Sequence, residues 1–122
     1  MTHIHLKSLL KIVGRKNAID QQNEWYNGSE TYLLEIGKEL EEVKAEIDSG
    51  RQPHLEEELG DVLWDYLNLL TSLEKEGKID LEKVFERAVT KYGERIDGIE
   101  NGRTWAEIKA IQKERLAQEL KG

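Results

Sequence analysis

Three carboxylates, Glu58, Asp61 and Asp65, are spaced three and four residues apart, which stacks side chains along one face of a helix. Asn68 and Ser72 continue the row at the same intervals. Leu55, Leu59, Val62, Leu63, Trp64, Tyr66, Leu67, Leu69, Leu70 and Leu73 cover most of the remaining circumference at about 100° per residue. The expected helix is therefore apolar on several sides with one narrow polar seam, and it should be largely enclosed by protein. Like charges at this spacing repel, and taking carboxylates out of water costs several kcal/mol each unless something compensates them. A divalent cation does so directly, because hard cations take carboxylate oxygens. A seam facing bulk solvent is the plainer alternative.

A second acidic set precedes the first. Glu35, Glu39, Glu42 and Glu46 follow one another at four, three and four residues, on one side of another helix. Glu39 borders the Ile36/Leu40 stripe, so its carboxylate can reach a neighbouring helix at the core boundary. The two helices are separated by the short turn Gly50-Arg51-Gln52-Pro53. An antiparallel hairpin would bring the Glu39/Glu42 pair toward the Glu58/Asp61 pair, and four carboxylates at i and i+3 on facing helices make a cradle for Mg²⁺ or Mn²⁺. Other chemistries fit less well. Cysteine is absent, which excludes disulfides, thiolate metal sites and cysteine nucleophiles. None of His3, His5 and His54 lies three residues after a glutamate, as a di-iron bundle would need. No serine or threonine has the partners of a nucleophile.

The elements that must hold these residues are helical throughout. Apolar residues recur at helical spacing, and strand-like alternation is missing. A first helix is expected from about His3 to Lys16, then a largely loop-like stretch from Asn17 to Ser29 containing Trp25 and Tyr26. A second runs from about Glu30 to Ser49, with Leu33, Ile36, Leu40, Val43 and Ile47 as its stripe and Gly50 as a left-handed cap. A third opens near Pro53, where a missing N–H costs nothing, and stops at Gly77 after Glu76. Asp80 can cap a fourth, ending near Ile96. Thr104-Trp105-Ala106-Glu107 has the form of a capping box and starts a fifth that runs nearly to the last residue. Short connections favour antiparallel neighbours, hence an all-α antiparallel bundle of four to five helices in a single domain over residues 1–122.

Composition narrows the function. The 122 residues carry 25 acidic and 18 basic side chains, a net charge of −7. That disfavours a nucleic-acid-polymer binder, which needs a basic face. No apolar run approaches the roughly 20 residues of a membrane span, and no secretory signal is read at the N-terminus. A cytoplasmic protein is expected. The third helix has more apolar sides than one hairpin can cover, so a homodimer is expected too.

Glu39-x-x-Glu42, fifteen intervening residues, then Glu58-x-x-Asp61 within Glu57-Glu58-Leu59-Gly60-Asp61-Val62-Leu63-Trp64, resembles the MazG-like nucleotide pyrophosphohydrolases of the all-α NTP pyrophosphatase superfamily. Looser likenesses extend over most of residues 25–114. Trp105-x-x-Ile108-Lys109 with Glu114 looks like the C-terminal helix of such domains, Lys91-Tyr92 with Arg95 like the basic segment before it, and Trp25-Tyr26 like the aromatic residues ahead of the first acidic helix. One departure is that Lys38 stands where many members have an additional acid, a role that Glu35, one turn back, could take.

The resemblance implies Mg²⁺-dependent hydrolysis of a nucleoside triphosphate to the monophosphate and pyrophosphate, as house-cleaning of non-canonical or excess nucleotides, in a dimer or dimer of dimers. Carried over, Glu39, Glu42, Glu58 and Asp61 are the metal ligands, with Glu39 or Glu42 near the attacking water. Lys91, Arg95 and Lys109 become candidates for phosphate contacts and Trp25 for stacking on the base. Alternatives are a phosphoribosyl-ATP or dUTP/dCTP-type hydrolase of the same superfamily, or a non-enzymatic helical interaction module using the acidic seam for a basic partner.

Overall fold

The computed structural model describes residues 1–122, in five helices: α1 (Thr2–Asp20), α2 (Ser29–Glu46), α3 (Gln52–Lys75), α4 (Leu81–Glu100) and α5 (Trp105–Lys121). The all-α expectation holds. The helices belong to two compact units, residues 1–79 and 80–122.

In the first unit α3 packs against both α2 and α1, around Val13, Tyr32, Val43, Leu67, Leu69 and Leu70. The α2–α3 turn is built by its own side chains. Arg51 donates from Nε and Nη2 to the Glu46 carboxylate, both at 2.9 Å, and Ser49 Oγ donates to the same group at 2.6 Å. Glu46 is thus committed to the turn, and Arg51 with Ser49 holds its carboxyl below the usual range. Its pull on these two residues ends α2 at Glu46, one turn before the expected Ser49. Gly50 follows with φ of 76°, a left-handed conformation that glycine takes without a Cβ clash. At the far end, Ser29 donates to Glu76 from its backbone N–H at 2.8 Å and from Oγ at 3.0 Å. The start of α2 is therefore tied to the end of α3, and the pair is antiparallel.

Two further boundaries need correction. Asn17–Asp20 continue α1 rather than opening a loop, because Asp20 is buried and pairs with Lys16, one turn back. In the second unit α4 runs one turn past Ile96, to Glu100. There Gly102, at φ 84°, lets Gly102 N–H reach Ile99 O at 3.0 Å and Arg103 N–H reach Gly98 O at 2.9 Å, the paired bonds of a Schellman stop. The expected caps are present: Asp80 accepts from Glu82 N at 3.0 Å, and Thr104 Oγ1 accepts from Glu107 N at 3.1 Å. Helices α4 and α5 meet where Ile108 lies over Gly98, so closely that a Cβ on Gly98 would stand 2.0 Å from Ile108 Cδ1.

The expected enclosure of α3 is only partly met. Its C-terminal half is buried, but Leu59, Leu63 and Tyr66 are exposed.

Candidate functional site

The hairpin fixes the register of the acids. Glu42 and Glu58 each stand eight residues from Gly50, and Glu39 and Asp61 each stand eleven. In an antiparallel pair with equal rise, these couples form level rungs between α2 and α3. The geometry agrees: carboxylate oxygens of Glu39, Glu58 and Asp61 all lie within 4.8 Å of one another. Glu42 falls outside that three-oxygen group and is exposed. Its carboxyl nevertheless neighbours Glu39 and Glu58 and helps raise the proton affinity of both.

Within residues 1–79 no lysine or arginine pairs with Glu39, Glu58 or Asp61. Burial, then Glu42, Asp61 and Asp65, push the Glu39 carboxyl up to about 7. Contact with Glu42, then burial, also raises Glu58. Glu39 Oε2 and Glu58 Oε2 are buried without a hydrogen-bond partner. Unpaired buried carboxylate oxygens are costly, and the carboxylates of Glu39, Glu58 and the exposed Asp61, converging from two helices, match the oxygen donor set of a hard divalent cation. The residues present therefore fit such an ion.

The remaining sequence-derived candidates stand on other elements of the chain. Trp25, in the α1–α2 connection, is half-exposed, packs edge-on against Tyr32 with centroids 5.7 Å apart, and has Lys16 Nζ 4.7 Å from its ring. Lys91, Arg95 and Lys109 belong to the second unit, where with Gln112 and Lys113 they line one groove along α4 and α5. Arg95 is only 6% exposed. Its guanidinium stacks on Trp105 at 4.8 Å and Tyr92 at 5.3 Å, and Nε donates to Gln112 Oε1 at 2.8 Å. The other arginines of this unit are taken: Arg87 by Glu119 at 2.9 Å, Arg115 by Glu94 at 2.9 Å, and Arg103 by Glu107 at 3.7 Å. No ion pair holds Arg95; its guanidinium is kept in place by two aromatic rings and Gln112.

Some of the arrangement had no counterpart in the sequence reading. Tyr32 donates its hydroxyl to Asp20, and Lys16 reaches both, at 3.1 Å to the Tyr32 hydroxyl. Burial, then Asp20, raises the Tyr32 proton affinity, so the phenol stays the donor. The i,i+4 spacing of Lys16 and Asp20 was the available signal. Gln112, which orients Arg95, had none.

Residues 27–99 match the MazG nucleotide pyrophosphohydrolase domain. No curated protein and no solved structure matches the chain. The matched segment spans α2, α3 and nearly all of α4, including the complete acidic hairpin, and the chain belongs to the MazG nucleotide pyrophosphohydrolase domain family.

Proposed function

We propose that this chain is a Mg²⁺-dependent nucleoside triphosphate pyrophosphohydrolase, with Mn²⁺ as a substitute, that removes non-canonical or excess nucleotides in the cytoplasm. The observation that carries the reading is the meeting of Glu39, Glu58 and Asp61 within 4.8 Å, with buried oxygens that have no partner in the chain. Those three residues would hold the ion, and Glu42 would complete the set from the solvent side. When bound, the ion cancels charge on carboxylates and phosphates and lowers the barrier to attack at phosphorus.

The chain's own residues supply the rest. Glu42, exposed and adjoining Glu39 and Glu58, takes the proton from the attacking water. The water oxygen bonds to the α-phosphorus, the bond from that phosphorus to the α–β bridging oxygen breaks, and pyrophosphate leaves with that oxygen. Arg95, with Lys91 and Lys109, contacts the phosphates. Trp25 offers an aromatic face to the base.

The reading extends to a homodimer or dimer of dimers. Leu33, Leu34 and Leu40 of α2, Ile47 just after it, and Leu59, Leu63 and Tyr66 of α3 are exposed, apolar side chains that a partner subunit would cover. Light scattering at micromolar concentration should give twice the 14.1 kDa chain mass or a higher multiple, and a monomer would count against it.

The activity is tested by pyrophosphate release from a panel of nucleoside triphosphates in Mg²⁺ and in EDTA. Release should require the metal and fall at least a hundredfold in Asp61→Asn. A folded Asp61→Asn protein as active as the parent, or release undiminished by EDTA, would remove the reading. No release from any nucleotide would favour a helical interaction module instead.

A further inference from the structure

Lys16, Asp20 and Trp25 all precede residues 27–99, the segment that matches the family, so family membership assigns them no role. The chain nevertheless joins them in one arrangement. Asp20 and Tyr32 are each 1% exposed. Lys16 gives one ammonium proton to Asp20 Oδ1 and another to the Tyr32 hydroxyl, the latter at 3.1 Å. That hydroxyl spends its own proton on Asp20 Oδ2. An ammonium carries three protons, and no bond within the chain takes the third. The nitrogen is not sealed in, because 27% of the Lys16 side chain reaches solvent. It stands 4.7 Å from the centre of the Trp25 ring and 5.7 Å from that of Tyr32.

Trp25 is the open side of the arrangement. It is 49% exposed, yet its place is fixed. The ring packs edge-on against Tyr32, Trp25 N–H donates to Asn23 Oδ1 at 2.9 Å, and Tyr26 N–H donates to Asn23 O at 3.2 Å. A planar heterocycle laid on the open part of this indole would gain a stacking surface and meet, at its edge, a cation with a hydrogen to give. The location suits the base of a nucleotide. Tyr32 precedes Glu39 by seven residues on α2, about 10 Å of helix rise, and Asp65 acts on both. The Lys16–Trp25 pair therefore lies on the same unit as the acidic cluster and about two helical turns from it, as a base lies beyond the sugar from the α-phosphate.

We infer that Lys16, held by Asp20 and Tyr32, reads the exocyclic edge of a base stacked on Trp25 and selects a carbonyl there against an amino group. The argument is one of polarity. A keto oxygen accepts from the ammonium, whereas the amino group of adenine or cytosine is itself a donor. It would meet the ammonium donor to donor and leave a partly desolvated cation without a partner. Hydrolytic loss of ammonia turns adenine into hypoxanthine and cytosine into uracil, in each case placing a carbonyl where the amino group stood. The residue thus favours the deaminated member of each pair. The inference rests on the pyrophosphohydrolase reading and names the substrates within it.

Pyrophosphate release from ITP and ATP, and from UTP and CTP, tests it, because each pair shares its sugar and phosphates and differs at this edge. In the parent, kcat/KM should favour ITP over ATP and UTP over CTP by about tenfold or more, the scale of one charge-assisted hydrogen bond. Lys16→Met keeps the aliphatic stem and loses the donor. It should bring both ratios to about two or less, through a higher KM for ITP and UTP. A Lys16 that served only the fold would lower all four substrates together. The double variant Lys16→Met/Asp20→Asn removes both charges of the buried pair, guards against unfolding by an unpaired Asp20, and should show the same lost preference. Ratios near one in the parent, or parental ratios kept in either folded variant, overturn the inference while the proposed function stands. Release from none of the four would remove the proposed function and this inference with it.

Discussion

Glu39→Gln should make the metal-free protein more stable. The substitution keeps the size of the side chain and removes its charge. In the parent, burial and the neighbouring Glu42, Asp61 and Asp65 raise the Glu39 carboxyl from its ordinary 4.5 to about 7. At 1.36 kcal/mol per pKa unit, that displacement sets a ceiling of about 3 kcal/mol against the ionised form. Glu39 is only partly buried, and water and salt screen the repulsion, so about 1 kcal/mol is the expected gain. The sign follows from linkage. A carboxyl whose folded pKa lies above its unfolded value binds more protons when folded, so its contribution to stability declines as pH rises between the two values. The penalty is complete above about pH 7 and vanishes below about pH 4.5. Urea unfolding in EDTA should therefore show Glu39→Gln ahead by about 1 kcal/mol at pH 8, with the gap mostly closed at pH 5. Saturating Mg²⁺ should reverse the order, because the parent gains binding energy that the variant has lost. Equal stabilities at pH 8 in EDTA, or a gap that does not shrink at pH 5, would refute the claim that the acids repel one another uncompensated.

Paired glycine substitutions in α4 should act in opposite directions. Gly93→Ala has open space around the added methyl and should stabilise by roughly 0.5–1 kcal/mol through helix propensity, whereas Gly98→Ala drives a Cβ into Ile108 and should cost about 1–3 kcal/mol; their melting temperatures report the contrast. Tyr32→Phe deprives the buried Asp20 carboxylate of a donor and should lower stability by about 1–3 kcal/mol, read as a lower urea midpoint at unchanged slope. Arg95→Lys keeps the charge but loses the planar fork stacked on Trp105, so KM for the triphosphate should rise about tenfold with the helical circular dichroism unchanged.

The hairpin was legible because several local signals agreed. Gly50 and Pro53 punctuate the chain where a turn must fall, and the i,i+3,i+4 placement of acids and leucines assigns faces without tertiary information. The three-oxygen cluster followed from that geometry. The position of Glu42 did not: whether a carboxylate at the end of a flexible side chain turns into the cluster or toward solvent is decided by rotamers and neighbours, not spacing. The α1 boundary was obscured because Asn17-Ala18-Ile19-Asp20 has weak local preference. A contact sixteen residues away, from Tyr32 to Lys16, settles it. The end of α4 was legible in principle, since Asn101-Gly102 is a stop signal. The apolar pattern thins after Ile96, and periodicity alone ended the helix too early. Glu46 shows the converse. It shares the spacing of the site acids, yet the nearby Arg51 claims it.

Charge is distributed between the two units in a way that bears on how such a protein could meet a polyphosphate. In residues 1–79 the acids of the hairpin outnumber the cations able to reach them, and Glu39 and Asp65 keep buried oxygens that nothing in the chain satisfies. In residues 80–122 three arginines are consumed by carboxylates, while Arg95 is held by two aromatic rings and an amide. Lys91, Lys109 and Lys113 stand in the same groove without an ion pair. With a net charge of −7, a bare triphosphate approaches against the field of the whole protein. Counter-charge for the hairpin would be carried best by a dication, whose preference for oxygen donors the carboxylate rungs meet. On the proposed function, the order of binding follows from electrostatics: the metal, or the metal already carried by the nucleotide, would enter the acidic hairpin with the phosphates.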